Sequence, residues 1–296
     1  MRFVTPAGKQ RGAGISHVGQ RLRIGVVAPG TRIDPEMAAR VQAYAADAFL
    51  DRAPEIVVHP QCYLSSGHFA GTDEERANAF LDMANDPKID AVWIARGGYG
   101  ACHIAETVMG AYHECARDKT YLGYSDAGAI LGGLYKLGFP RVAHGPMLVD
   151  IIREGGESAV KRALSFLIEQ GSESLELTVT PDVKTAAYNM MILQSVLGTP
   201  LEPDLTDHVL MLEEVDEHMY RIDRSLFHLT SHRPLRRLAI QGRSQKLQRV
   251  RHRWSPPRDW QFDWHWDLLQ FAAWASVAGA IGDTAPSIRK AAAAAK

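Results

Sequence analysis

IDAVWIARGGYGA at 89–101 and TYLGYSDAGAILGGLYKLG at 120–138 decide the fold. Each opens on an apolar run and turns through glycine and small polar residues. The second then continues with Ala, Ile and Leu at helical spacing. The same strand, turn and helix order stands twice upstream. RIGVVAPG at 23–30 leads into DPEMAARVQAYAADAF at 34–49. EIVVHP at 55–60 leads through a Gly/Ser-rich loop into GTDEERANAFLDMAND at 71–86, where Thr72 and Glu75 have the spacing of a capping box. Near-continuous apolar strands alternating with helices predict an α/β fold whose parallel sheet is covered on both faces. That domain is placed at 21–160, after a flexible tail at 1–20.

Beyond it, ESAVKRALSFLIEQGSESLELTV at 157–179 reads as one amphipathic helix closed by Gly171 and a strand-like LELTV, and 161–184 is taken as the linker region. From 185 to 296 a smaller α+β domain is expected. AAYNMMILQSVLGTP at 186–200 reads as a helix ending at Gly198, HVLMLEEV at 208–215 as a strand, and MYRIDRSLFHLTSH at 219–232 as a short amphipathic helix.

The chain has 296 residues, 46% of them hydrophobic, enough for two cores and too many for general disorder. Thirty-three Lys and Arg stand against 34 Asp and Glu, so the total charge gives no reason to seek nucleic acid or anionic membrane. Three scattered cysteines suit a reducing compartment and exclude a disulfide framework. The first twenty residues lack the apolar stretch of a signal peptide, and no window is apolar enough for a membrane span. A cytoplasmic protein is expected. Composition breaks near 241. Residues 233–258 hold nine Lys and Arg and no acid, and five of the six tryptophans fall in 254–274. The neutral total charge argues against reading that segment as a nucleic-acid surface, so 241–296 is treated as atypical.

Ligands of open α/β sheets sit at the carboxyl ends of the strands. Two loops qualify there. Arg96-Gly97-Gly98-Tyr99-Gly100 lets backbone approach a ligand closely, but it lacks the spacing of a dinucleotide fingerprint, and no phosphate-binding loop motif occurs elsewhere. No cofactor is expected. Gly123-Tyr124-Ser125-Asp126-Ala127-Gly128 resembles a nucleophile elbow without the G-x-S-x-G pattern, while the plain alternative is that Ser125 caps the next helix. A serine nucleophile needs a base and oxyanion donors, for which the Asp126 N–H and one from Gly97 or Gly98 are placed. No metal site is expected, since no H-x-x-x-H or Cys/His cluster appears.

FAGTDEERANAFLDMANDPKIDAVWIARGGYGA, LGYSDAGAIL, AHGPM, LGTP and LMLEEVDEHMYRIDR resemble, in order and spacing, the LD-carboxypeptidase family of serine peptidases, over about residues 20–240. That family includes the microcin C immunity proteins. The resemblance implies a Rossmann-like N-terminal domain, a smaller C-terminal domain and a site between them. It implies a cytoplasmic homodimer that removes terminal D-alanine from murein tetrapeptides during peptidoglycan recycling. A microcin C-type immunity peptidase and an inactive muropeptide-binding relative are the alternatives.

Carried over by motif, Ser125 matches the nucleophile, Glu213 the triad acid, and Asp126 with Gly98 the oxyanion amides. Gly97, Tyr99 and Tyr124 are assigned to substrate binding. Strand alternation sends Glu213 and Glu214 to opposite faces, so one at most serves, and two surface carboxylates are the plain alternative. Tyr220, Arg221 and Asp223 line the pocket or, for the last two, form a structural ion pair. His144 of AHGPM is read as structural or substrate-lining. The family's catalytic histidine follows a glycine near the C-terminus, where this chain has Ile281-Gly282-Asp283. The remaining candidates, His252 and His265, follow no glycine. The break near 241 therefore suggests a divergent or frame-shifted tail, to be tested by translating the encoding DNA in all frames.

Overall fold

The computed structural model describes residues 21–176, 184–215, 217–232 and 239–244. The expected tail at 1–20, most of LELTV, the Trp-rich segment, His252 and His265 lie outside the described residues. Five parallel strands form the first sheet: β1 (Arg23–Val27), β2 (Glu55–Val58), β3 (Ala91–Ile94), β4 (Thr120–Gly123) and β5 (Val142–His144), in the order β2-β1-β3-β4-β5. β3, β4 and β5 are buried at every position, as the unbroken apolar runs require of strands covered on both faces.

The covering helices are α1 (Pro35–Phe49), α2 (Asp73–Asn85), α3 (Ala101–Gly110), α4 (Gly128–Lys136) and α5 (Gly156–Glu169). α2 packs on α3 and α3 on α4, while α1 packs on α5. The capping box is formed: Thr72 Oγ1 accepts from Glu75 N at 3.2 Å, and Glu75 Oε2 accepts from Thr72 N at 2.7 Å. Because the strand order reverses between β1 and β3, the loops leaving those strands diverge there and open a crevice. The Thr31 N–H bridges it to the Gly97 carbonyl at 3.1 Å.

A second parallel sheet contains β6 (Thr185–Asn189), β7 (Val209–Glu214) and β8 (Ala239–Ser244), with β7 central. α6 (Met190–Val196) packs against β6, β7, α4 and α7 (Met219–Ser231). One expectation is corrected here. The Ala186–Asn189 stretch, read as the start of a helix, is the end of a strand, and the helix begins only after Asn189, whose side chain accepts from Ile192 N at 3.1 Å. Alanine is a strong helix former, but propensity yields to tertiary context, and full burial beside β7 decides otherwise. The two sheets meet where β6 touches the turn at 125–127 and where Tyr188 and Ile192 lie against Gly128.

Candidate active site

β4 ends at Gly123, and a short 3-10 turn at Ser125–Ala127 joins it to α4. Ser125 has φ of 58°, in the left-handed region that a residue with a Cβ rarely enters. The cap positions are Tyr124 for that turn and Ala127 for α4, so Ser125 caps neither. Small neighbours permit the bend. A Cβ on Gly123 would stand 2.6 Å from Ile94 Cγ1, and one on Gly97 would stand 3.1 Å from Ser125 Oγ. The Gly-rich loop after β3 thus lies directly against the serine hydroxyl. Gly98 has φ of 124° and would drive a Cβ into Thr31 Oγ1. The strain at Ser125, of order 1–3 kcal/mol, is the kind that concentrates at functional sites.

Asp126 follows Ser125 in the same turn. Its buried carboxylate accepts from Ala101 N at 3.0 Å and so ties the start of α3 to the serine turn. Burial raises its pKa, opposed by that bond and by the fields of Arg76 and His103. Tyr99 is 53% exposed and stacks on His68, with ring centroids 4.3 Å apart. Tyr124 is buried behind the turn, its hydroxyl donating to Asp150 Oδ1 at 3.0 Å and accepting from Arg153 Nη1 at 2.8 Å. His144 is buried, and burial pushes its pKa down to about 3, so its ring is neutral.

Glu213 and Glu214 end β7, and neither is the surface carboxylate of the plain alternative. Glu214 is 8% exposed and accepts from Asn189 Nδ2 at 3.2 Å and from Val215 N at 3.0 Å. Glu213 Oε1 is sealed from water and has no hydrogen-bond partner among the described residues. Burial, then the neighbouring Glu214 charge, pushes the Glu213 pKa up to about 7, against a smaller opposing pull from Asn189 and Arg153. Glu213 pairs in register with Asn189 at the end of β6, the strand that touches the serine turn.

A folded-state pKa above the unfolded one means that ionisation opposes folding. Wild-type stability is therefore expected to decline as pH rises through about 7. The isosteric Glu213→Gln protein should gain up to about 3 kcal/mol over wild type at pH 8 and almost nothing well below pH 5. Thermal midpoints across that range check this, and a constant difference between the two proteins overturns it.

Arg221 pairs with Glu217, four residues before it in the chain, Nε to Oε2 at 2.9 Å. Tyr220 is exposed under Arg224, 5.3 Å from its ring centroid. Among the described residues no cluster of three or more His, Cys, Asp or Glu is placed to hold a metal ion, and no helix is long and apolar enough to cross a membrane. The three cysteines are free.

The sequence model of the LD-carboxypeptidase N-terminal domain matches residues 24–145, and that of the C-terminal domain matches residues 184–253. A Streptomyces coelicolor protein that carries the name of a carboxypeptidase is 32% identical over 220 residues, 70% of this chain and 69% of that one. The chain belongs to the LD-carboxypeptidase family. The murein tetrapeptide carboxypeptidase of Pseudomonas aeruginosa is 26% identical over 215 residues, covering 64% of this chain and 69% of its own. A Synechocystis relative, also named as a carboxypeptidase, is 33% identical over 164 residues, 53% of this chain and only 52% of its own length. Among solved structures, the microcin C7 self-immunity protein MccF superposes with a TM-score of 0.59 at 16% identity, covering 76% of this chain and 78% of that one, a likeness of fold.

Sequence reasoning missed Thr31, Arg76, Asp150, Arg153 and Asn189 around this candidate site. AHGPM was singled out, and Asp150 and Arg153 follow it within six residues. The signal was a charged residue inside an apolar stretch, MLVDII at 147–152, which a buried partner has to satisfy.

Proposed function

We propose that this chain is a serine-type LD-carboxypeptidase that releases the terminal D-alanine of murein tetrapeptides in the cytoplasm, as a homodimer, during peptidoglycan recycling. The observation that carries the reading is Ser125 at φ of 58°, bent at the carboxyl end of β4 with its hydroxyl against Gly97. Ser125 Oγ attacks the carbonyl carbon before D-alanine. The oxyanion takes hydrogen bonds from the Asp126 and Gly98 amides. A histidine accepts the serine proton and passes it to the departing D-alanine amine, and water then frees the acyl group by the reverse sequence.

Glu213 orients that histidine and stabilises its charged form. The sealed Oε1 without a donor supports this role, because an imidazole N–H would satisfy it. His252 and His265 are the candidate bases. Gly97 and Tyr99 line the substrate path, and Tyr124 supports it from behind. The names of relatives such as the Pseudomonas aeruginosa enzyme support the substrate class.

Incubating the purified full chain with a tetrapeptide muropeptide and assaying free D-alanine tests the proposal. Release supports it. Binding without release supports the inactive muropeptide-binding relative, a reading favoured by Ile281-Gly282-Asp283 where the family has a glycine followed by histidine.

A further inference from the structure

Arg153 follows the 3-10 turn Leu148–Ile152 and is held on one edge. Its Nη1 donates to Tyr124 Oη at 2.8 Å, and its Nε pairs with Asp150 Oδ1 at 3.2 Å. The Asp150 side chain is wholly buried and also accepts from Tyr124 Oη at 3.0 Å and from Met147 N at 2.8 Å. The three side chains close a triangle that fixes the guanidinium plane. No described residue takes a hydrogen bond from Nη2, and the Arg153 side chain is 45% exposed. The arginine is thus anchored from beneath and open above.

The anchored arginine belongs to the surroundings of the candidate active site. Tyr124 is the chain neighbour of Ser125, and Met147 Cε and Ser125 Oγ both lie within 3.4 Å of the position a Cβ on Gly97 would occupy. Arg153 is also among the charges that oppose the rise of the Glu213 pKa. An enzyme that removes only the last residue of a peptide has to read what an internal peptide bond lacks, the free α-carboxylate. A planar guanidinium with an open N–H edge matches a carboxylate in geometry and charge.

We propose that Arg153 determines specificity at this site by binding the terminal α-carboxylate of the peptide through its open edge. The proposal rests on the carboxypeptidase reading above. Calorimetric titration of the Ser125→Ala protein, which removes turnover, with a tetrapeptide muropeptide ending in D-alanine and with its C-terminal carboxamide tests both.

The acid is expected to bind roughly 10- to 100-fold more tightly than the amide, the range of a hydrogen-bonded charge pair. Adding Arg153→Gln should bring the acid down to the affinity of the amide while leaving the amide unchanged, and Arg153→Lys should keep part of the difference. Equal binding of acid and amide to Ser125→Ala overturns the anchor and leaves the carboxypeptidase reading standing. An equal loss for both ligands in Arg153→Gln, with Arg153→Lys no better, also overturns it, because that is the mark of structural support alone. Failure of both ligands to bind removes the carboxypeptidase reading and the anchor with it.

Discussion

Release of D-alanine by the Ser125→Ala protein is expected to fall roughly ten-thousand-fold or more, to the residual rate that oxyanion donors and binding supply without a nucleophile. Muropeptide affinity should stay within a few-fold of wild type, because the hydroxyl contributes to the transition state and little to ground-state binding. Stability gives an independent reading of the same residue. A serine that caps a helix loses about 1 kcal/mol when replaced by alanine. Ser125 holds neither cap position, and alanine at φ of 58° keeps the strain, so Ser125→Ala should leave the thermal midpoint almost unchanged. Ser125→Gly relieves the left-handed conformation and should stabilise by about 1 kcal/mol while abolishing release. A substitution that stabilises and inactivates together marks a residue held strained for function. Unchanged D-alanine release in Ser125→Ala would remove the nucleophile assignment outright.

What the sequence made legible follows from how far apart the interacting residues lie. The strands β1 to β5 announce themselves because a strand covered on both faces has no polar positions to alternate with, and the capping box at Thr72 and Glu75 spans only three residues. The bend at Ser125 was legible as a possibility from its small neighbours, but whether the serine capped a helix or stood strained depended on Gly97, which arrives from another strand. Ala186–Asn189 misled because helix propensity is local, while its burial depends on β7, which begins only at Val209. Glu213 and Glu214 look like surface acids in one dimension. Only the parallel pairing that sets Asn189 beside Glu213 reveals that both are withdrawn from water.

Arg76 shows the same limit most fully and carries the largest expected effect on stability. It sits on α2 with its side chain wholly buried, and no pattern in GTDEERANAFLDMAND marks it as different from a solvated arginine. Its Nη1 donates to the Pro29 carbonyl, which follows β1, and to the Gly100 carbonyl, which follows β3, the latter at 3.0 Å. Its Nη2 pairs with Asp73, and its guanidinium lies 4.7 Å from the Phe69 ring centroid. Its field also lowers the pKa that burial raises at Asp126. One cation therefore joins the loops on both sides of the crevice and compensates the carboxylate next to Ser125.

Arg76→Met keeps the apolar stem and removes every polar contact at once. Two buried carbonyls lose their donor and Asp126 loses the compensating charge of Arg76, so the loss is expected at about 3–5 kcal/mol, a fall in Tm of roughly 10 °C. Arg76→Lys should recover only part, since one ammonium cannot reproduce the planar fork that reaches Pro29, Gly100 and Asp73 together. Adding Asp126→Asn to Arg76→Met should restore part of the stability, because the amide oxygen still accepts from Ala101 while the uncompensated charge is gone. Urea unfolding of wild type, Arg76→Met, Asp126→Asn and the double variant measures that coupling. Strictly additive losses would show that Arg76 acts on the two carbonyls alone and leaves the acid beside the serine untouched.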